Sequence, residues 1–424
     1  MTFTGPRPKE PYQIPPVEEA EGPPVTARDP RAWAKENLFS SVLNTILTVV
    51  FGFVLAFLTY RFLRFVFVDA EWEIIQRNIT NLMVFHFPRE ELWRVWAALF
   101  VLAASAGFGV GAAGTRRAVE IEEGRGAAPG RGMLLRRVAP LVLLVGVLLV
   151  AAGSLTATLL VLGVAATAIA FRLLGRRVPA RYFRFVALGV LVGIVASYLV
   201  ITAFGGVPRD DWGGLLLTAF LAVGGIVISF PIGVGLALGR RSSFPVIRLV
   251  CTLYIELIRG VPLITILFMS AFALGFFLPP GTERPSLVTR ALVALVAFTA
   301  AYVAEVVRGG LQSVPRGQIE AAQALGLSPL KTTRLIVLPQ ALRAVIPALV
   351  GQFISLFKDT SLVFIVGLTE LLAVAQNITK QPDFLAQGLF VETLLFVAFV
   401  YWAGSYWMSR ESQRLEQRLG VGTR

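Results

Sequence analysis

Residues 308–347 read RGGLQSVPRGQIEAAQALGLSPLKTTRLIVLPQALRAVIP, a polar stretch held between apolar runs at 287–308 and 344–373. The stretch carries its own helix punctuation. Pro315 suits a first turn, Gln318 to Leu325 are good helix formers, and Gly326 is a natural left-handed terminator. Ser328 followed by Pro329 reads as the N-cap and first position of a second short helix, which Pro339 interrupts. Ala321, Ala322 and Leu325 fall at helical spacing beside Glu320, so the first helix presents a small-residue face with a charge at its edge. Such a helix is shaped to be gripped.

Outside this stretch the chain is apolar. Of 424 residues 56% are hydrophobic and 15% charged, against about 45–50% and about 25% in a soluble domain. A bilayer span needs about 20 apolar residues. Runs at 39–63, 94–115, 138–153, 155–174, 185–205, 215–238, 247–278, 287–308, 344–373 and 385–408 meet or approach that length. Gly153 and Ser154 supply the minimal turn that divides 138–174 into two. The expectation is an all-α polytopic membrane protein of about ten transmembrane helices.

The net charge of +13 in a soluble chain would raise nucleic acid as a partner. Here arginine is concentrated in short loops, the pattern that orients membrane helices, so no nucleic acid is expected. Arg116, Arg117, Arg125, Arg131, Arg136 and Arg137 fill one loop; Arg172, Arg176, Arg177, Arg181 and Arg184 fill the next on the same side. These loops are expected to be cytoplasmic. Loops around Arg209, Asp210 and Asp211, around Glu283 and Arg284, and around Lys380 and Asp383 belong outside. The stretch from Arg64 to Arg94 balances its arginines with Asp69, Glu71, Glu73, Glu90 and Glu91 and takes neither side clearly. Ten spans put both termini in the cytoplasm, in agreement with Arg410, Arg414 and Arg418. Residues 1–36 hold eight of the 24 prolines and read as an extended tail, not a signal peptide. With one cysteine, Cys251, and one histidine, His86, an intrachain disulfide is impossible and no Cys/His metal site is expected. No GxxxxGK[ST] nucleotide loop occurs.

Glu320-Ala321-Ala322, then Gly326, then Ile336 and Leu338-Pro339 resemble the EAA loop of ABC importer membrane subunits. The flanks Tyr254 to Pro262 (YIELIRGVP), Ala304 to Pro315 (AEVVRGGLQSVP) and Gln352 to Leu362 (QFISLFKDTSL) are similar to the polar amino acid permeases, which serve histidine, glutamine and general L-amino acid uptake. The resemblance covers 210–418. Trp33 to Leu38 and Leu92 to Trp96 make the first half look like the extended permeases of general L-amino acid systems. The resemblance implies a C-terminal five-helix type I ABC importer core. It divides the chain into a tail at 1–36, an accessory bundle of about five helices at 37–208, a core at 209–410 with its coupling loop at 311–343, and a tail at 411–424. It also implies alternating-access uptake of polar or general L-amino acids, in a bacterial inner membrane. Glu320, Ala321, Ala322, Gly326, Leu338 and Pro339 would couple the chain to separate ABC ATPase subunits that carry the ATP and Mg. This chain would then hold no cofactor and would not itself be an enzyme. The other implied partners are a second permease, the same or a sister chain, and a periplasmic or surface-tethered amino acid binding protein.

Charged groups inside spans cost at least about 2.5 kcal/mol at the bilayer centre and mark functional positions. Glu256 with Arg259, and Glu305 with Arg308, stand i, i+3 on their helices, so each pair can neutralise itself locally. The same groups are candidates for a substrate pathway, since an amino acid offers both an ammonium and a carboxylate. Lys358, Asp359, Thr360 and Ser361 lie inside the ninth run and must avoid lipid, which makes them candidates for gating or substrate contact. Gly260 and Pro262 predict a kink in the seventh run, where broken helices can bind ligand through freed backbone groups. A secondary transporter driven by an ion gradient is the alternative. It predicts an inverted repeat, and the first half has no counterpart of the 308–347 stretch. A lipid-modifying membrane enzyme would need a polar catalytic cluster in external loops, which are short and poor in acid pairs.

Overall fold

The computed structural model describes residues 30–122, 133–179, 182–279, 281–385 and 387–419. Residues 1–29 of the proline-rich tail, Arg125 and Arg131, Arg181, and the last residues from 420 lie outside this set. Among the described residues the only β pairing is a single bridge between Gly214 and Glu370. The rest is helix and loop, as a chain must be that satisfies its backbone without water.

The described residues form two compact units, one up to Ala70 and one from Glu71 onward. The first holds α1 (Pro30–Asn37) and α2 (Val42–Arg64), which runs on as a π-helical turn at Phe65–Asp69. Ser41 caps α2 by accepting from Asn44 N at 3.2 Å, and Arg64 meets Asp69 at 3.3 Å across the π turn.

In the second unit, α3 (Glu73–Val84) is followed by α4 (Leu92–Glu122), α5 (Met133–Ala152), α6 (Leu155–Gly175) and α7 (Phe183–Thr202). Then come α8 (Gly214–Arg240), α9 (Pro245–Gly260), α10 (Leu263–Phe268) and α11 (Leu287–Ser313). The short α12 (Arg316–Ala324) and α13 (Pro329–Thr332) lead to α14 (Leu338–Asp359), α15 (Leu371–Ile378) and α16 (Phe390–Leu419). Among the described residues eight helices are long and apolar enough to span, and α9 with α10 and its extension to Phe277 make a ninth, broken by 108°. That break falls at Val261–Pro262, where the sequence places its kink. The run at 138–153 is α5, separated from α6 by Gly153 at φ +56 and the N-cap Ser154. Nine of the ten apolar runs thus fall on a helix or a broken pair, and the run at 344–373 instead joins α14, a 3-10 segment and the start of α15.

Two bundles are packed by different means. In the first, α4 lies against α6 and α7. A methyl group on Gly107 would collide with the Ala168 carbonyl, one on Gly111 with that of Arg172, and one on Gly175 with that of Phe108. Backbones this close gain dispersion contacts that lipid tails cannot replace. Arg94 ties the far end: its Nε donates to Glu91 at 2.6 Å, and its guanidinium donates to the carbonyls of Val200 at 3.0 Å and Ala203 at 3.1 Å. Those carbonyls end α7 and have no helical donor of their own.

The second bundle is α8, α11, α14 and α16, with α9 and α10 alongside. Packing also crosses the chain boundary at 208/209. Ile74, Ile75 and Leu82 of α3 share a buried cluster with Leu371, Val374 and Phe396, and Leu144 and Leu148 of α5 pack against it. Asn78 accepts from Gln381 Nε2 at 3.0 Å. The charge-balanced stretch from Arg64 to Arg94 is therefore no plain loop. Its central helix is a wedge seated on the start of α8, where Gly214 takes φ +55 and a side chain would strike the Leu82 carbonyl.

Gly107→Ala should lower the stability of the α4–α6 contact by about 1–3 kcal/mol, because the obstacle is backbone and cannot rotate away. Gly114 has open space around it, so Gly114→Ala is the neutral control. Thermal unfolding of the two variants in detergent measures the difference.

Candidate functional site

The 311–343 loop projects from one end of the second bundle. Pro315 is the residue before α12 and not in its first turn; Gly326 follows the helix at φ +75, as a left-handed terminator should. Ser328 and Pro329 open α13 in the cap and first positions. Pro339 does not interrupt that helix. A π turn at Thr333–Val337 carries the chain on into α14, and Pro339 sits in the first turn of α14, directly after that π turn.

Only Ala322 of α12 is buried, whereas Glu320 and Ala321 are exposed. Leu325, Leu330 and Leu335 are 82%, 77% and 58% exposed, apolar knobs on the loop. The loop's roots are fixed. Arg241 donates to the Leu311 carbonyl at 2.9 Å, and Gln340 Nε2 reaches Gln318 Oε1 at 3.3 Å and Ile336 O at 3.0 Å. Gly310 lets α11 and α14 touch at Ala341, where a Cβ would lie 2.6 Å from the carbonyl oxygen.

Just inside the loop end, five charges from three helices meet. Glu256 does not pair with Arg259 on its own helix. It pairs with Arg240 of α8 at 2.8 Å, and Arg259 pairs with Glu305 of α11 at 3.6 Å. Glu305 and Arg308 do form the local pair, with Arg308 Nε 3.0 Å from both carboxylate oxygens. Arg240 also reaches Glu305, at 3.4 Å. The i, i+3 rule fails on α9 because the tertiary partners outbid it: a carboxylate shared by three guanidiniums gains more than an isolated surface pair. Three Arg against two Glu leave one positive charge uncompensated within the cluster. Arg259 also stands 5.6 Å over the Tyr302 ring, and its Nε is buried without a hydrogen-bond partner.

Tyr302 leads from that cluster into a groove of about 330 Å³ between α11 and α14, lined also by Phe298, Thr299, Gln352, Ser355, Leu356 and Asp359. Asp359 and Lys358, adjacent in sequence, do not share it. Lys358 enters a second groove, of about 540 Å³, between α14 and α16, with Tyr401, Trp402, Ser405 and Tyr406. One residue along a helix turns the side chain by about 100°. The two charges therefore cannot clamp one ligand from neighbouring positions. Thr360 is fully buried and donates to the Phe357 carbonyl at 2.7 Å. Ser361 donates to the Lys358 carbonyl at 2.8 Å.

The sequence reading missed Glu370. The ninth run ends not at 373 but in a 3-10 segment, Thr360–Val366, closed by Gly367 at φ +95. Glu370 then caps α15, accepting from Leu372 N and Ala373 N, each at 2.8 Å. It lies between the spans that end at Val366 and begin at Phe390, and it is 0% exposed. Burial pushes its carboxyl up to about 7, despite the hydrogen bonds from Leu372, Ala373 and Tyr401 that favour the charge. The available signal was an acid directly before a short apolar helix. Among the described residues no group of three His, Cys, Asp or Glu side chains could hold a metal.

A polytopic helical bundle with a rooted polar loop and charged grooves inside it defines a membrane permease subunit. Residues 229–421 match the family of binding-protein-dependent transport system inner membrane components. The chain is 34% identical over 433 aligned positions to the glutamate/glutamine/aspartate/asparagine transport system permease protein BztC of Rhodobacter capsulatus, covering 93% of this chain and 95% of that one. It is 47% identical over 239 residues to the inner membrane amino-acid ABC transporter permease protein YhdY of Escherichia coli, 56% of this chain and 64% of that protein's length. It is 40% identical over 159 residues to the general L-amino acid transport system permease protein AapQ of Rhizobium johnstonii, 35% and 37% of the two chains. The chain belongs to the amino-acid ABC transporter permeases.

Glu305→Gln should destabilise the bundle by about 1–2 kcal/mol, since three guanidiniums lose their shared partner in a half-buried site. Glu256→Gln, at a more exposed position with one partner, should cost under about 1 kcal/mol. Equal losses in detergent unfolding would contradict the hub assignment.

Proposed function

We propose that this chain is the permease subunit of an ATP-driven importer of polar or general L-amino acids, working by alternating access and coupled to a separate ATPase through residues 320–339. The observation that carries the reading is the loop. Its apolar knobs, Leu325, Leu330 and Leu335, are uncovered among the described residues, while its roots are bonded to α8, α11 and α14. A partner that grips α12 can therefore move the helices that line the groove. Glu320, Ala321, Ala322 and Gly326 form the gripped helix and its end; Leu338 and Pro339 start the helix that receives the motion.

In this reading the loop end is cytoplasmic, and the arginine-rich loops and both termini share that side of a bacterial inner membrane. Residues 209–410 form a type I importer core, and 37–208 form an accessory bundle. The α11–α14 groove offers Asp359 towards an ammonium, Gln352 and Ser355 as neutral hydrogen-bonding groups, and Arg259 behind Tyr302 towards a carboxylate. That set suits the α-amino acid zwitterion. Glu256, Glu305 and Arg308 hold Arg259 in place. The ATP and Mg belong to the ATPase subunits. A second permease and an external binding protein complete the assembly. A carrier driven by an ion gradient is disfavoured by the relatives' membership of ABC systems.

Gly326→Val places a β-branched residue at φ +75, a conformation such residues adopt only under strain. Co-purification of the ATPase and ATP-dependent amino acid uptake in proteoliposomes should both fall, by about tenfold or more. If both match the wild type, the loop is not the coupling element.

A further inference from the structure

Glu370 is a fully buried carboxyl, and no ion pair among the described residues includes it. Four elements pack against α15. From α16 come Tyr401 and, nine residues nearer the start of that helix, Glu392. The 3-10 segment brings Thr360, with Lys358 and Asp359 in the turn before it. From α8 comes Thr218, which accepts from Leu371 N at 3.2 Å; that helix has no charged residue before Arg240. From α3 comes Asn78, while Glu73 and Arg77 pair with each other at the surface at 2.5 Å. Among the described residues no cation pairs with the ionised form.

The hydroxyls around the carboxyl form a chain in which protons can reorient. Tyr401 Oη donates to Glu370 Oε2 at 3.3 Å and stands 3.4 Å from Thr360 Oγ1, where either oxygen can be the donor. With the carboxyl ionised, Tyr401 donates to it. With the carboxyl protonated, its own O–H can donate to Tyr401, whose hydroxyl then turns to Thr360. Both states leave every oxygen bonded, and only hydrogens move. Tyr401 also lines the open groove that contains Lys358. In the proton route this arrangement suggests, Tyr401 Oη takes up a proton from the groove as Tyr401 releases its own to Oε2. One proton leaves the groove and one is gained by Glu370.

We propose that Glu370 is a proton-binding site served from the Lys358 groove through Tyr401, and that its proton occupancy decides whether α15 is fixed to the bundle or free to move during transport. The role in transport rests on the importer reading above; the proton site does not. The elevated affinity for protons gives the direction. A carboxyl raised from the ordinary range to about 7 stabilises the docked arrangement when protonated. That contribution is present in full below the ordinary carboxylate range and is lost as pH rises through the folded value. Acid therefore locks α15, and alkali loosens it.

The test has two arms. In the first, the purified full chain in lipid nanodiscs is followed by infrared difference spectroscopy between about pH 5 and about pH 9. Wild type should show a protonated carboxyl band that titrates near neutrality, and Glu370→Gln should lack it. In the second, the complete transporter in proteoliposomes takes up amino acid at saturating concentration over the same external pH range. Wild-type uptake should rise at least about threefold through the titration, and Glu370→Gln should hold the low-pH rate throughout. Tyr401→Phe should keep the band but shift its midpoint. A band that does not titrate, or that persists in Glu370→Gln, overturns the proton site. A titrating band with uptake equal at all pH values overturns the control of transport. A titrating band in a complex with no ATP-driven uptake leaves the site standing and removes the importer reading.

Discussion

A bilayer core offers no water to a polar atom, so every backbone amide, carbonyl and charge that enters it must find its partner inside the protein. The tight helix crossings, the arginine at the end of α7 and the charged cluster near the loop all answer this one demand. Arg94 serves the last carbonyls of α7. Glu305 serves guanidiniums from three helices. Glu370 serves the first amides of α15. In each case a titratable side chain is tolerated because it satisfies backbone or opposite charge across helices, and in each case the pairing fixes how two or more elements sit together.

The same pairings connect the loop to the groove. Arg240 and Arg241, successive residues, hold Glu305 and the Leu311 carbonyl, so the end of α8 grips both the charged cluster and the root of the loop. Gly310 brings α14 against α11 directly beside that root. From Leu338 α14 runs 22 residues to Asp359, with Pro347 inside it, a length of about 33 Å. Under the importer reading proposed above, α14 is the element that joins α12 to the far end of the groove. Coupling between distant sites needs such a physically continuous element with two positions.

Much of this was legible in the sequence because it is local. Apolar run length named the spans, Gly153–Ser154 marked the α5–α6 turn, and Gly260–Pro262 marked the break. Gly326, Ser328 and Pro329 took their expected positions, since capping depends on neighbours one to four residues away. What failed was non-local. Glu256 and Arg259 look like a self-contained pair until α8 and α11 supply better partners. Lys358 and Asp359 look like one site until helix geometry sends them into separate grooves. Pro339 reads as a break within a helix, yet it begins one, because the π turn before it had no signature in composition.

The sequence by itself determined that this chain is a bundle of apolar helices interrupted by one polar loop with helix-ending residues, and its motifs pointed to the amino-acid permeases. Only the tertiary structure decided which charges meet, that α3 is a wedge on the core, and that Glu370 is buried beside Tyr401. Helix formation is written in short-range hydrogen bonding and apolar length. The pairing of charges is settled by whichever group on another helix offers the largest gain once water is gone.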